Sequence, residues 1–225
     1  TLNKTNNTRK EYFISSKESI ELPLRVANNT LIIQTQNVQT APQYFAISST
    51  DMNERIPLLT NKNKQYFDKP PTFINYKRSD GLNLSGTLHL PSNYDKAQGK
   101  IPAVLWIYPD EFNNKELSQQ NTVKTNIFRQ FDPLSPLVFL HDGIAVFESP
   151  SMPITAFDGQ EPNDDFINQI NLNAQAAINA LEGTGLIDID SLAVMGHSYG
   201  AVTVANLLAQ TDFFKACIAR SGAYN

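Results

Sequence analysis

Gly196-His197-Ser198-Tyr199-Gly200 stands between the apolar run Leu192 to Met195 and a second run, Ala201 to Gln210. Gly-x-Ser-x-Gly between a strand and a helix is the pattern of a nucleophile elbow, a strand-to-helix turn so sharp that its serine is held in a strained backbone conformation with the hydroxyl lifted above the sheet. Glycines two before and two after the serine remove the Cβ atoms that clash in such a turn. The same geometry directs the Tyr199 amide toward the place where an oxyanion forms, and the positive end of the following helix adds to it. The chemistry implied is acyl transfer, with Ser198 as nucleophile and the Tyr199 N–H as oxyanion donor.

A serine nucleophile needs a base to take its proton and an acid to orient that base. In α/β-hydrolases both follow the serine, as Asp or Glu and then His. The 27 residues after Ser198 hold one carboxylate, Asp212, and no histidine. The triad cannot be completed within them, so the 225 residues are expected to be inactive alone and part of a longer protein whose Asp and His lie beyond Asn225. His197 is expected to turn its ring away from the Ser198 hydroxyl and pack under neighbouring loops. His141, before Asp142-Gly143, is expected to face solvent or cap a turn, and neither is expected to serve as the base. Cys217, in Ala216-Cys217-Ile218-Ala219, is expected to be buried and inert. One cysteine and three histidines without His-x-x-x-His spacing make a metal site improbable, and no cofactor is implied.

The elements that must hold this turn follow from the hydrophobic pattern. Leu22 to Val26, Leu31 to Thr35 and Gln43 to Ser48 predict short strands, and the Pro70-Pro71 pair marks the end of that β-rich stretch. Residues 1–68 and 69–225 are therefore taken as two parts. In the second, Phe73 to Lys77 and Leu84 to Leu90 predict a hairpin across Asp80-Gly81. Pro102 to Tyr108 predicts a strand covered on both faces, and Ile144 to Phe147 a short buried one. Phe166, Ile170, Ala174, Ala177, Ile178 and Leu181 share one helical face, predicting a helix over 163–181 with Asn163 as N-cap and Gly183 just past its end. Leu192 to Met195, Ala201 to Gln210 and Ala216 to Ala219 predict strand, helix and strand. Alternating strands and helices predict an α/β fold with a parallel sheet.

The chain has 225 residues, a net charge of −4, 41% hydrophobic and 18% charged residues. That is length for a sizeable core, while the acidic balance lacks the basic footprint that nucleic acid or an anionic membrane requires. No run of 18 apolar residues predicts a membrane span, and no signal peptide is visible. Oligomeric state and compartment stay open.

Gly196 to Ala201, the upstream Trp106-Ile107-Tyr108-Pro109-Asp110-Glu111-Phe112 and the closing Ile218 to Asn225 together resemble the catalytic domain of the prolyl oligopeptidase family of serine peptidases, and within it the glutamyl endopeptidase branch. The resemblance covers most of residues 20–225. It implies an α/β-hydrolase fold, incomplete at its C-terminal side in this chain, preceded over residues 1–68 by strands like the end of a β-propeller. It implies a peptide substrate, Tyr108 as a second oxyanion donor through its hydroxyl, and Arg220 and Tyr224 as lining of the pocket for the residue before the scissile bond. An arginine there suits a glutamate side chain by bidentate hydrogen bonding. Two other readings remain at this stage: a carboxylesterase on the same chemistry, and a non-catalytic binding protein derived from the fold.

Overall fold

A computed structural model describes residues 2–3, 8–9, 19–27, 30–48, 54–63, 69–119, 127–129, 132–156, 159 and 161–224. Two compact units emerge, Thr1–Asp68 with Val123–Phe131, and Lys69–Thr122 with Asp132–Asn225.

The first unit is antiparallel. β1 (Leu2–Asn3) and β2 (Thr8–Arg9) form a small ladder. β3 (Ser19–Ala27), β4 (Thr30–Gln36), β5 (Gln43–Ser48) and β6 (Arg55–Leu59) follow one another as a four-stranded meander. Ile33 and Ile47 are fully buried in it, and the Phe128 N–H donates to Gln36 Oε1 at 3.1 Å. β6 is a strand the sequence pattern does not announce, because Pro57 interrupts it. It lies at the sheet edge, where a residue without an N–H is tolerated.

The second unit holds the sheet that matters for the elbow. β7 (Thr72–Lys77) and β8 (Asn83–His89) pair as the expected hairpin, with Gly81 at φ +88° in its turn. β9 (Ile101–Ile107) leads into β10 (Pro109–Phe112) and the short α1 (Lys115–Ser118). β11 (Ala145–Glu148) and β12 (Met152–Thr155) come next, then α2 (Phe166–Thr184), β13 (Ile187–His197), α3 (Tyr199–Gln210) and β14 (Ala216–Arg220). The main sheet runs β14-β13-β9-β11-β8-β7, parallel from β14 to β11 and antiparallel from there to the hairpin edge. β10 and β12 form a separate parallel pair.

Why these segments settle here is visible in burial. Leu105, Phe147, Ile170, Leu181, Val194, Val204 and Leu207 form one apolar core between the sheet and the helices. Burying each such side chain contributes about 1.5–3 kcal/mol. A buried arginine adds a polar fastening: Arg78 donates from Nε and Nη2 to the two Asp80 oxygens at 2.9 and 2.8 Å, and from Nη1 to Asn173 Oδ1 at 2.8 Å. That bidentate bond holds the Asp80 carboxyl down at about 2.

Three expectations are corrected. α2 begins at Phe166 after a 3₁₀ turn, Pro162–Asp165, and ends at Gly185, whose φ of +69° is the left-handed stop. Gly183 continues the helix, and the Asn163 side chain is drawn to partners elsewhere in the fold. Cys217 is exposed, because β14 is an edge strand whose side chains are mostly uncovered. His197 is likewise exposed and packs under no loop among the described residues.

Candidate active site

β13 ends at His197, α3 begins at Tyr199, and Ser198 between them has φ +54° and ψ −116°. A non-glycine residue in that region carries roughly 1–3 kcal/mol of backbone strain, which persists only where the surroundings enforce it. The enforcement is local and visible. The Ser198 N–H donates to the Arg220 carbonyl on β14 at 2.9 Å, and its own carbonyl accepts from Ala201 and Val202, starting the helix. Its hydroxyl makes no capping bond and the residue is exposed.

Both glycines of the motif are required by close backbone approach. A Cβ on Gly196 falls 2.3 Å from the Gly200 carbonyl oxygen, and one on Gly200 falls 2.5 Å from the Ile107 carbonyl oxygen at the end of β9. The first turn of α3 therefore sits directly over the carboxyl ends of β13 and β9. Gly200→Ala pushes α3 off β9, and the expected result is a loss of about 1–3 kcal/mol in denaturant unfolding. An unchanged unfolding midpoint contradicts this close approach.

Tyr108 leaves the end of β9 half exposed at 48%, with its ring edge-on to that of Tyr199 at 6.4 Å between centroids. Its hydroxyl has no hydrogen-bond partner among the described residues. Tyr199 is held on its other sides. Its ring stacks on Phe166 at 5.7 Å, and its hydroxyl lies 2.9 Å from Glu111 Oε1 and 2.8 Å from Asn163 Oδ1. Burial and the bond to Glu111 raise the Tyr199 phenol above its ordinary pKa. Partial burial also raises the neighbouring Asp110 carboxyl.

Arg220, the last residue of β14, stands across from His197 in the register and so on the other side of Ser198 from Tyr108. Its Nη1 donates to the Leu134 carbonyl at 3.2 Å, and among the described residues no carboxylate lies within ion-pair distance. The segment past it turns sharply at Ser221, φ +52°, and lays the exposed Tyr224 ring against Gly222.

Ser198, Tyr199, Tyr108 and Arg220 are thus gathered at one end of the sheet, where ligands bind in open α/β folds. Of the histidines, His89 is buried against Glu148 at 3.0 Å, His141 lies exposed in a 3₁₀ turn, and none is hydrogen-bonded to Ser198 among the described residues. The sequence reading gave no role in the site to Glu111 or Leu134, and took Asn163 only as a helix N-cap. The only signal for Glu111 is its place three residues after Tyr108; for Asn163 the capping pattern points elsewhere.

Residues 159–225 match the prolyl oligopeptidase family. "Probable glutamyl endopeptidase, chloroplastic" of Oryza sativa subsp. japonica is 36% identical over 94% of this chain and 23% of its own length. The Arabidopsis thaliana protein of the same name is 40% identical over 68% of this chain and 16% of its own. The chain therefore spans less than a quarter of these relatives. Among solved structures, oligopeptidase B from Leishmania major superposes with a TM-score of 0.62 at 15% identity, over 96% of this chain and 30% of that one. A puromycin-hydrolyzing peptidase of Mycobacterium tuberculosis gives 0.60 at 18% identity, over 86% and 29%. The chain is thus similar in sequence to the prolyl oligopeptidase family and its glutamyl endopeptidases, and its fold is that of an α/β-hydrolase sheet preceded by propeller-type strands.

Proposed function

We propose that this segment of a prolyl oligopeptidase-type protein supplies the nucleophile and the oxyanion hole of a serine peptidase, with a preference for an acidic residue before the scissile bond. The observation that carries the reading is Ser198 itself: a serine at φ +54°, with an exposed hydroxyl that caps nothing, at the N-terminus of a helix. A serine that merely capped α3 has no need of that strain.

In this mechanism Ser198 Oγ attacks the peptide carbonyl as the remainder of the full-length protein supplies the histidine that accepts its proton and the acid that orients it. The Tyr199 N–H and the Tyr108 hydroxyl, approaching from the α3 and β9 sides, stabilise the tetrahedral anion. The amine leaves with a proton from the same base, and water then releases the acyl group. Residues 1–68, read as the end of a propeller, belong to a gate that admits oligopeptides, and residues 69–225 to the first part of the catalytic domain.

Arg220 is the acidic-residue receptor in this reading. Arg220 adjoins Ser198 through its main-chain carbonyl, its guanidinium donates to the neutral Leu134 carbonyl, and a substrate carboxylate offers it a charge-assisted pair instead. The test uses the full-length protein and peptides that differ only in the residue before the cleaved bond. Glutamate is expected to exceed glutamine in kcat/KM, and Arg220→Met to remove on the order of tenfold or more of the glutamate rate while leaving an alanine peptide unchanged. Equal loss on both peptides removes Arg220 from the specificity pocket. Hydrolysis of para-nitrophenyl esters with peptides untouched overturns the peptidase reading in favour of an esterase.

A further inference from the structure

We propose that Glu111 is a positioning residue for the oxyanion hole, bracing the Tyr199 side chain and through it the peptide that follows the nucleophile; this rests on the reading of Ser198 given above. Three elements distant in sequence meet at one phenol. Glu111 lies on β10, Asn163 on the 3₁₀ turn before α2, and Tyr199 opens α3. Asn163 Nδ2 donates to Glu111 Oε1 at 2.8 Å, and the Tyr199 hydroxyl reaches Glu111 Oε1 at 2.9 Å and Asn163 Oδ1 at 2.8 Å. The phenol has one proton and two acceptors within reach, so Glu111 and Asn163 share it.

The need for such a brace follows from where Tyr199 stands. The first amides of a helix have no intrahelical acceptor, which leaves the Tyr199 N–H available to an oxyanion, while the carbonyl of the same peptide accepts from the Ala201 and Val202 amides. The side chain is a second handle on its orientation, beside the main-chain bonds of the turn. Glu111 grips that handle from the strand that begins one residue after Tyr108, so the two proposed oxyanion donors are tied to each other through β10. For stability alone the clasp is worth little, since these bonds lie near the surface, where water competes for the same groups. A misplacement of about 1 Å in a catalytic group, by contrast, lowers turnover by as much as about a hundredfold.

The test measures kcat and KM on a peptide substrate, and the rate of labelling by a fluorophosphonate, in the full-length protein. Glu111→Ala and Tyr199→Phe are each expected to lower kcat and the labelling rate by about tenfold with KM nearly unchanged. Glu111→Gln, whose amide oxygen still accepts from both partners, is expected to retain most of the wild-type rate. Because Glu111 acts through the Tyr199 hydroxyl, adding Glu111→Ala to Tyr199→Phe is expected to have no further effect. Should Glu111→Ala fail to fold, Tyr199→Phe, which removes only the phenol oxygen, carries the test against Glu111→Gln. Wild-type rates in Glu111→Ala, losses that multiply in the double variant, or an equal loss in Glu111→Gln overturn the brace while the peptidase reading stands. A wild-type protein that neither hydrolyses peptide nor takes the label overturns both.

Discussion

Replacing Ser198 by alanine in the full-length protein is expected to lower kcat for peptide hydrolysis by at least about 10⁴-fold. The melting temperature is expected to stay at the wild-type value. The two halves of this result have separate causes. Without Oγ no acyl-enzyme forms, and what remains is the modest acceleration that an oxyanion hole and substrate binding give to attack by water. The fold loses nothing, because the Ser198 hydroxyl makes no capping bond, and alanine keeps the same Cβ on the same strained backbone. The bonds that enforce the turn belong to the main chain, from the Ser198 N–H to the Arg220 carbonyl and from Ala201 and Val202 back to the Ser198 carbonyl. A Ser198→Ala protein with wild-type kcat places the chemistry elsewhere. One that fails to fold makes the serine a structural cap.

Tyr108→Phe is expected to lower kcat by about 10²-fold or more, the typical effect of losing one oxyanion donor, with KM little changed. Deleting this oxygen removes no hydrogen bond among the described residues, and the ring's edge contact with Tyr199 is preserved. The loss therefore falls on the transition state, where the oxyanion exists, and not on the bound peptide. Steady-state kinetics on a single peptide, with a thermal melt of the same sample, separate the outcomes. A rise in KM at unchanged kcat assigns Tyr108 to substrate binding. Equal activity removes it from the site.

How much of this was legible in the sequence depends on how local each requirement is. The elbow can be read from five residues and their apolar flanks, because the clash of a Cβ on Gly196 with Gly200 arises within the motif itself. Strand β9 and the hairpin β7–β8 are legible for the same reason: an apolar run and an Asp-Gly turn state their structure without help from the rest of the chain. The helix boundaries are less legible. Asn163 has the composition of an N-cap, yet Glu111 and Tyr199 compete for its side chain from elements far away in sequence, and tertiary bonds win over a local preference. Cys217 misleads differently. Its neighbours are apolar, but burial depends on the place of β14 at the sheet edge, which no local pattern reports. The clasp on Tyr199 is invisible for the plainest reason, since residues 111, 163 and 199 become neighbours only once β10, the 3₁₀ turn and α3 are packed. In the separate four-stranded meander, Pro57 hides β6 by removing a donor that an edge strand does not need.

The central claim is that Ser198 is a nucleophile activated for acyl transfer. Its most direct test is reaction of the full-length protein with a fluorophosphonate, followed by intact mass and peptide mapping. The expected result is one adduct per chain, on Ser198, formed in step with the loss of peptidase activity and absent from Ser198→Ala. An unmodified Ser198 in a protein that still cleaves peptides, or an adduct on another residue that abolishes cleavage, contradicts it.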